Sequence, residues 1–332
     1  MEALVSPYHF TTREPPVMAA VLLADRVYTL LPSPLGAADS GAARSAADRV
    51  PEYLDMMRSW RWSQPLWEAG VVMPSVDALA SPAAEMASAW RRLTTDPACA
   101  ALGPLMRLDL FGNEDDYLQA VARDVLRAGP DPGVSVPVML GLDRYAARHA
   151  LTVVRPEPSS VVQKAEQRLS VGRDRLALVL PVLLQADADS IVIARDMLEP
   201  ELEALRAAMD AAMDGLQACP VRAAGPGPER DAWCARAREA AARYAEAFDA
   251  HLPEIAACQD DDAPALMRGL VSVTLSTLPV DVVLHASTMA TMRLGTSARG
   301  SGRQAELAPV DELAHANVSS MIVRVMSKDA AA

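Results

Sequence analysis

The chain is short of lysine, paired cysteines, long apolar runs and aromatic side chains, and each shortage excludes some chemistry. Lys164 and Lys328 are its only lysines, so Schiff-base or lysine-base catalysis would have to use one of two positions. Cys99, Cys219, Cys234 and Cys258 stand singly, with no Cys-x-x-Cys pair, which fits free thiols in a reducing compartment. The longest apolar run, Leu176 to Leu184, is interrupted by Pro181 and is about half of what a bilayer span needs, so no membrane segment is expected. The opening Met-Glu-Ala-Leu-Val-Ser-Pro has neither the basic start nor the apolar core of a secretory leader, and a cytoplasmic location is expected.

Basic charge is also in deficit. The formal net charge of -12 and pI near 4.9 oppose general attraction to nucleic acid or anionic lipid, both of which require a positive field. With 332 residues, 51% of them apolar by side chain and 22% charged, the chain can fold as one large globular domain or two ordinary ones. Arginine in place of lysine, with abundant alanine and proline, fits a GC-rich bacterial genome.

The pattern of apolar residues predicts a mixed protein. Leu4 to Phe10 reads as a short strand, and a buried helix starts at Pro15-Pro16 and runs to Pro32, with Val17, Val21, Ala24, Tyr28 and Leu31 as its stripe. Further helices are expected at about 44–58, 82–93, 114–128, 138–149 and 160–169, and strands at 105–111 and 151–154. Leu176 to Leu184 fits a buried strand or a buried helix equally well. Leu202, Leu205, Met209, Met213 and Leu216 mark one apolar helix face; after the Pro/Gly break at 219–228, a second helix runs to about His251, and Pro253 is expected to interrupt it. Val271, Val273 and Leu275 alternate with Ser272, Thr274 and Ser276 as in a half-buried strand; a helix from Pro279 to Arg293 and a strand from Val318 to Met326 follow. The expected fold is α+β and helix-dominated, with short strands, packed helices and a C-terminal strand-helix-strand unit. The two modules, 1–155 and 156–332, could form one continuous domain.

Aromatics make up only 4% of the chain, yet Trp60, Trp62 and Trp67 fall in one short stretch. They could form a stacking platform for a flat ligand or an anchor for a partner protein, or they could lock the N-terminal core. Gly295 to Arg303, with Arg293, Arg299 and Arg303 nearby, is the one compact basic, glycine-rich stretch and could cradle a phosphate or carboxylate, although it lacks the lysine and spacing of a P-loop. His285 and His315 are the acid/base candidates beside it. His251, Glu254 and Cys258, with Asp260 and Asp262 after them, have the ligand types of a metal site, but Pro253 argues against a shared face, and a solvated acidic loop is the simpler reading. No cofactor is predicted.

Ala20 to Pro32 and Pro65-Leu-Trp-Glu-Ala-Gly-Val-Val72 together resemble the N-terminal region of a group of uncharacterised bacterial proteins with an apolar, Asp-containing helix and a Glu-Ala-Gly turn. The resemblance implies architecture and a bacterial source, and it transfers no activity and no site residue. The expectation for function is a protein–protein interaction or assembly subunit, acting with a protein partner or by self-association. The alternatives are a small-molecule enzyme using the 293–303 loop and a ligand-sensing regulator using the region between Trp60 and Trp67.

Overall fold

The computed structural model describes residues 1–31, 48, 51–74, 76, 82–95, 114–127, 131–156, 175–218, 228–259, 263–279 and 317–326. Their frame is one seven-stranded sheet in the order β3-β2-β1-β4-β7-β6-β5. The strands are β1 (Glu2–Val5), β2 (Arg26–Tyr28), β3 (Val72–Met73), β4 (Thr152–Pro156), β5 (Leu176–Gln185), β6 (Met267–Pro279) and β7 (Asn317–Val325). Neighbours from β3 to β7 are parallel, whereas β6 runs antiparallel to both β7 and β5. Because β4 pairs with β7, the sheet is continuous from the first module into the second.

Helices dominate around this sheet, as the apolar patterning predicted. They are α1 (Pro7–Thr12), α2 (Pro15–Leu23), α3 (Pro51–Trp60), α4 (Gln64–Glu68), α5 (Pro82–Thr95), α6 (Glu114–Val125), α7 (Pro132–His149), α8 (Ala188–Met197), α9 (Glu199–Ala218) and α10 (Pro228–Ala257). No described helix is long and apolar enough to cross a membrane. Both strands of the expected C-terminal unit are present; Pro279, expected to open its helix, instead ends β6, and 280–293 falls outside the described residues, as do the expected strand at 105–111 and helix at 160–169.

Helix α2 organises the core. Every residue from Pro16 to Leu23 is buried, so the helix has no solvent face, as expected of a segment apolar on all sides. It packs on β1, β4 and β7 and also on the far edge strand β5, which requires the sheet to curl around it. Val153 and Val154 point to opposite faces of β4 and are both 1% exposed, so the centre of the sheet is covered twice: α2 packs on β4 from one side and α7 from the other. Toward β5 the cover is single, since Leu176, Leu178 and Leu180 are buried while Ala177 and Val179 are exposed.

The structure corrects three sequence expectations. Strand β1 stops at Val5, because Ser6 caps a helix whose first residue is Pro7; the Ser6 side chain accepts from the Tyr8 amide at 3.3 Å. Helix α2 ends at Leu23, and 26–28 form a parallel strand between β1 and β3, with the Val27 amide donating to Val71. A uniformly apolar stretch carries no periodic signal to separate helix from strand, and the slot in the sheet decides for β-branched Val27 and aromatic Tyr28. Helix α10 runs through Pro253 to Ala257; Pro253 and Asp249 are both exposed, so the carbonyl that loses its intrahelical donor faces water.

Buried arginines close the end of α2. Arg195 Nη1 donates to the carbonyls of Val21 (2.9 Å) and Ala24 (2.6 Å), and Nη2 to that of Asp25 (2.9 Å). Arg206 Nε donates to Leu23 at 2.9 Å. The last carbonyls of a helix have no partners within it, so these two side chains from α8 and α9 supply the missing donors and tie both helices to α2. Burial, with Arg206 close by, brings the Arg195 guanidinium down to about 10.

Candidate functional site at the carboxyl edge of the sheet

The strand order reverses at β1. The chain leaves β1 toward β2 and β3 on one side, then returns through α5, α6 and α7 to β4 on the other. Connections that diverge in this way leave a crevice outside the carboxyl ends of the two central strands, where doubly wound sheets bind ligands. Helix α7 has 18 residues, about 27 Å at 1.5 Å each. That is about 10 Å longer than the five-residue strand β4 it leads into, so its first turns stand beyond the carboxyl edge.

The polar groups at this edge fall into separate hydrogen-bonded sets. Tyr8, just after β1, donates from its phenol to Asp124 Oδ2 at 2.6 Å. Asp124 Oδ1 accepts from the Asp131 amide at 2.5 Å, and Asp131 caps α7 by accepting from Gly133 at 2.9 Å. Burial, reinforced by the neighbouring carboxylate, pushes the Tyr8 phenol well above its usual value. Burial also raises the Asp124 carboxyl, against the opposing effect of the hydrogen bonds it accepts. At the end of β4, Arg155 Nη2 is bonded to Asp143 of α7, while its Nε is buried with no hydrogen-bond partner. At the end of β2, the Thr29 hydroxyl is fully buried and likewise unpaired, and Leu30 follows it in the left-handed region at φ 56°. The Leu30 carbonyl accepts from Tyr117 at 3.1 Å.

The tryptophan stretch packs against the same end of the molecule, and it is not extended: α3 ends at Trp60 and a 3-10 turn spans Arg61–Ser63. Trp60 is fully buried and Trp67 is 6% exposed; each meets its neighbour edge to face, Phe10 with Trp60 at 5.7 Å and Trp60 with Trp67 at 5.9 Å. Ser63 accepts from Trp67 Nε1 at 3.1 Å and donates to the Trp60 carbonyl at 2.7 Å, which holds the turn. The following Glu-Ala-Gly turn closes on Gly70, whose φ of 69° favours glycine. Trp62 is the half-buried member of the three. The exposed Arg13 guanidinium lies 4.8 Å from its ring centre, and Phe10 packs 5.6 Å away.

The other described candidates are not brought to this edge. His251 and Glu254 sit one helical turn apart on the surface of α10, with Nδ1 and Oε2 3.6 Å apart, and Cys258 is exposed beyond the helix end. Asp260 and Asp262 lie outside the described residues, and no described cluster of three or more metal-ligating side chains occurs. Arg293, Arg299, Arg303, His285 and His315 also lie outside the described residues. Pro279 pairs with Asn317, so the strands flanking that segment meet it at the amino edge, opposite the crevice. Tyr8, Arg13, Asp124, Asp143 and Arg155 were not singled out from sequence. The signal for the first two was the Ser6-Pro7 helix start, which places Tyr8 on the helix after β1 and Arg13 at its C-cap; nothing local marks the other three.

The arrangement is that of a mixed, mostly parallel sheet with surrounding helices, whose strand order reverses at β1. No protein-family model matches the chain, no curated protein matches it, and no solved structure matches it.

Proposed function

We propose that this protein binds a small anionic ligand at the carboxyl edge between β1 and β4 and acts as a ligand-sensing regulator. The observation that carries the reading is the reversal of strand order at β1, with the unpaired Arg155 Nε at the end of β4. Asp143 orients that guanidinium and leaves a donor for a carboxylate or phosphate. The test is a thermal-shift screen against nucleotides, dinucleotides and small carboxylates, repeated on Arg155→Met. A ligand that raises the melting temperature of the native protein and not of the variant supports the reading. If no member of the panel shifts the native protein, the reading fails.

Trp62 and Arg13 favour a second reading, assembly with a protein partner, because tryptophan and arginine are the residue types enriched at the centres of interfaces. In that case Trp62→Ala removes association, read by native mass measurement, with little change in melting temperature. The enzyme alternative, with Arg293, Arg299 and Arg303 holding an anionic substrate and His285 or His315 as acid/base, stays a proposal for the amino edge, as does a helix between β6 and β7.

A further inference from the structure

Strand β5 ends the sheet, and among the described residues no strand pairs with its outer side. The direction of its backbone groups follows from two hydrogen bonds. The Met326 amide donates to the Leu270 carbonyl at 2.9 Å, so Leu270 points toward β7 and away from β5. Its register partner Pro181 therefore points away from β6, and the Pro181 carbonyl accepts from Tyr244 of α10 at 3.0 Å. By the alternation of an antiparallel ladder, Ala177 and Val179 also direct their amides and carbonyls outward. At Pro181 the edge is covered by α10 and lacks a donor; before it, these two residues are uncovered, with Ala177 exposed and Val179 52% exposed.

We propose that this edge pairs with β5 of a second copy of the chain, antiparallel about a two-fold axis at Leu178. In that register Ala177 faces Val179 of the second copy and Val179 faces its Ala177. Each pair exchanges two N–H···O bonds, four in all. The two exposed valines pack beside the two alanines on one sheet face. The segment 176–185 carries no charge, so in a chain of net charge -12 it is a place where two copies meet without repulsion. The register pairs 176–180 of each copy, stops short of the covered Pro181 and opposes no like charges, since that segment is uncharged. A foreign strand would find only two outward residues before the proline; the isologous pair uses that short edge twice and closes, leaving no free β5 edge on either copy.

The test is native mass measurement and hydrogen exchange on the full chain and on Val179→Lys. The native protein is expected at twice 35.4 kDa, with slowed exchange at the amides of Ala177 and Val179. Val179→Lys is expected at the single-chain mass, with fast exchange at Ala177 and an unchanged far-ultraviolet spectrum. Leu178→Ala is the folding control: it removes a buried side chain without altering the outward amides, and it should stay a dimer while melting lower. A monomeric native protein, or a Val179→Lys variant that remains a dimer, overturns the proposal.

Discussion

Arg195 Nη1 lies 2.6 Å from the carbonyl oxygen of Ala24, the residue at which the central helix stops. One planar side chain thereby serves the carbonyls of Val21, Ala24 and Asp25, a task that needs several donors in fixed directions. Arg195→Met should lower stability by about 3 kcal/mol, since at least one buried carbonyl loses its donor outright. Arg195→Lys should recover only part of this, because an ammonium cannot span the same acceptors. Chemical denaturation of the three proteins side by side checks both statements.

The two buried phenols predict an alkaline limit to stability. Burial, with Asp124 adding to it at Tyr8, raises Tyr8 and Tyr244 above their unfolded value of about 10. A raised folded value means that the contribution is fully present below pH 10 and is lost as pH climbs, because the unfolded chain releases those protons first. Unfolding free energy should therefore fall as pH rises above about 10, and Tyr8→Phe should make the decline shallower. At pH 7 the same variant should cost about 2 kcal/mol, the scale of a hydrogen bond to a charged acceptor.

The tryptophans separate into two kinds. Trp60→Ala empties a fully buried site between Phe10 and Trp67 and should cost about 3–5 kcal/mol. Trp62→Ala removes a half-buried ring under Arg13 and should cost clearly less. Equal losses in denaturant titrations would place Trp62 in the core and remove it as a recognition residue.

Helices α9 and α10 approach closely at Gly215, where an added Cβ would come within 2.6 Å of the Trp233 indole nitrogen. An indole in a packed site cannot withdraw as a flexible chain end can. Gly215→Ala should therefore destabilise by about 1–3 kcal/mol despite the better helix propensity of alanine. Thermal melts of this variant decide whether contact or propensity prevails.

Several elements were legible because their residues carry the matching period. Val271, Val273 and Leu275 alternate and lie in β6, and the stripe from Leu202 to Leu216 lies on α9. Val27 and Tyr28 were read as helix because the wholly apolar run before them carries no period that would mark its end, and only β1 and β3 on either side make them a strand. Strand β5 was ambiguous for the same reason. At the site, the tryptophan stretch was visible as a concentration of residues, but its split into two buried rings and one half-buried ring depends on α1 packing over it. The joining of Tyr8 to Asp124 spans 116 positions, and the pairing of Asp143 with Arg155 depends on α7 lying along β4. Such contacts are products of topology and leave no local trace.

The most direct test of the carboxyl-edge site is hydrogen exchange with the ligand that most raises the melting temperature. The account predicts slowed exchange confined to the turn and helix after β1, residues 6–13, and to the end of β4 at Val154 and Arg155. Protection centred instead on the amino edge, around residues 24–26 and the start of β7, would contradict it.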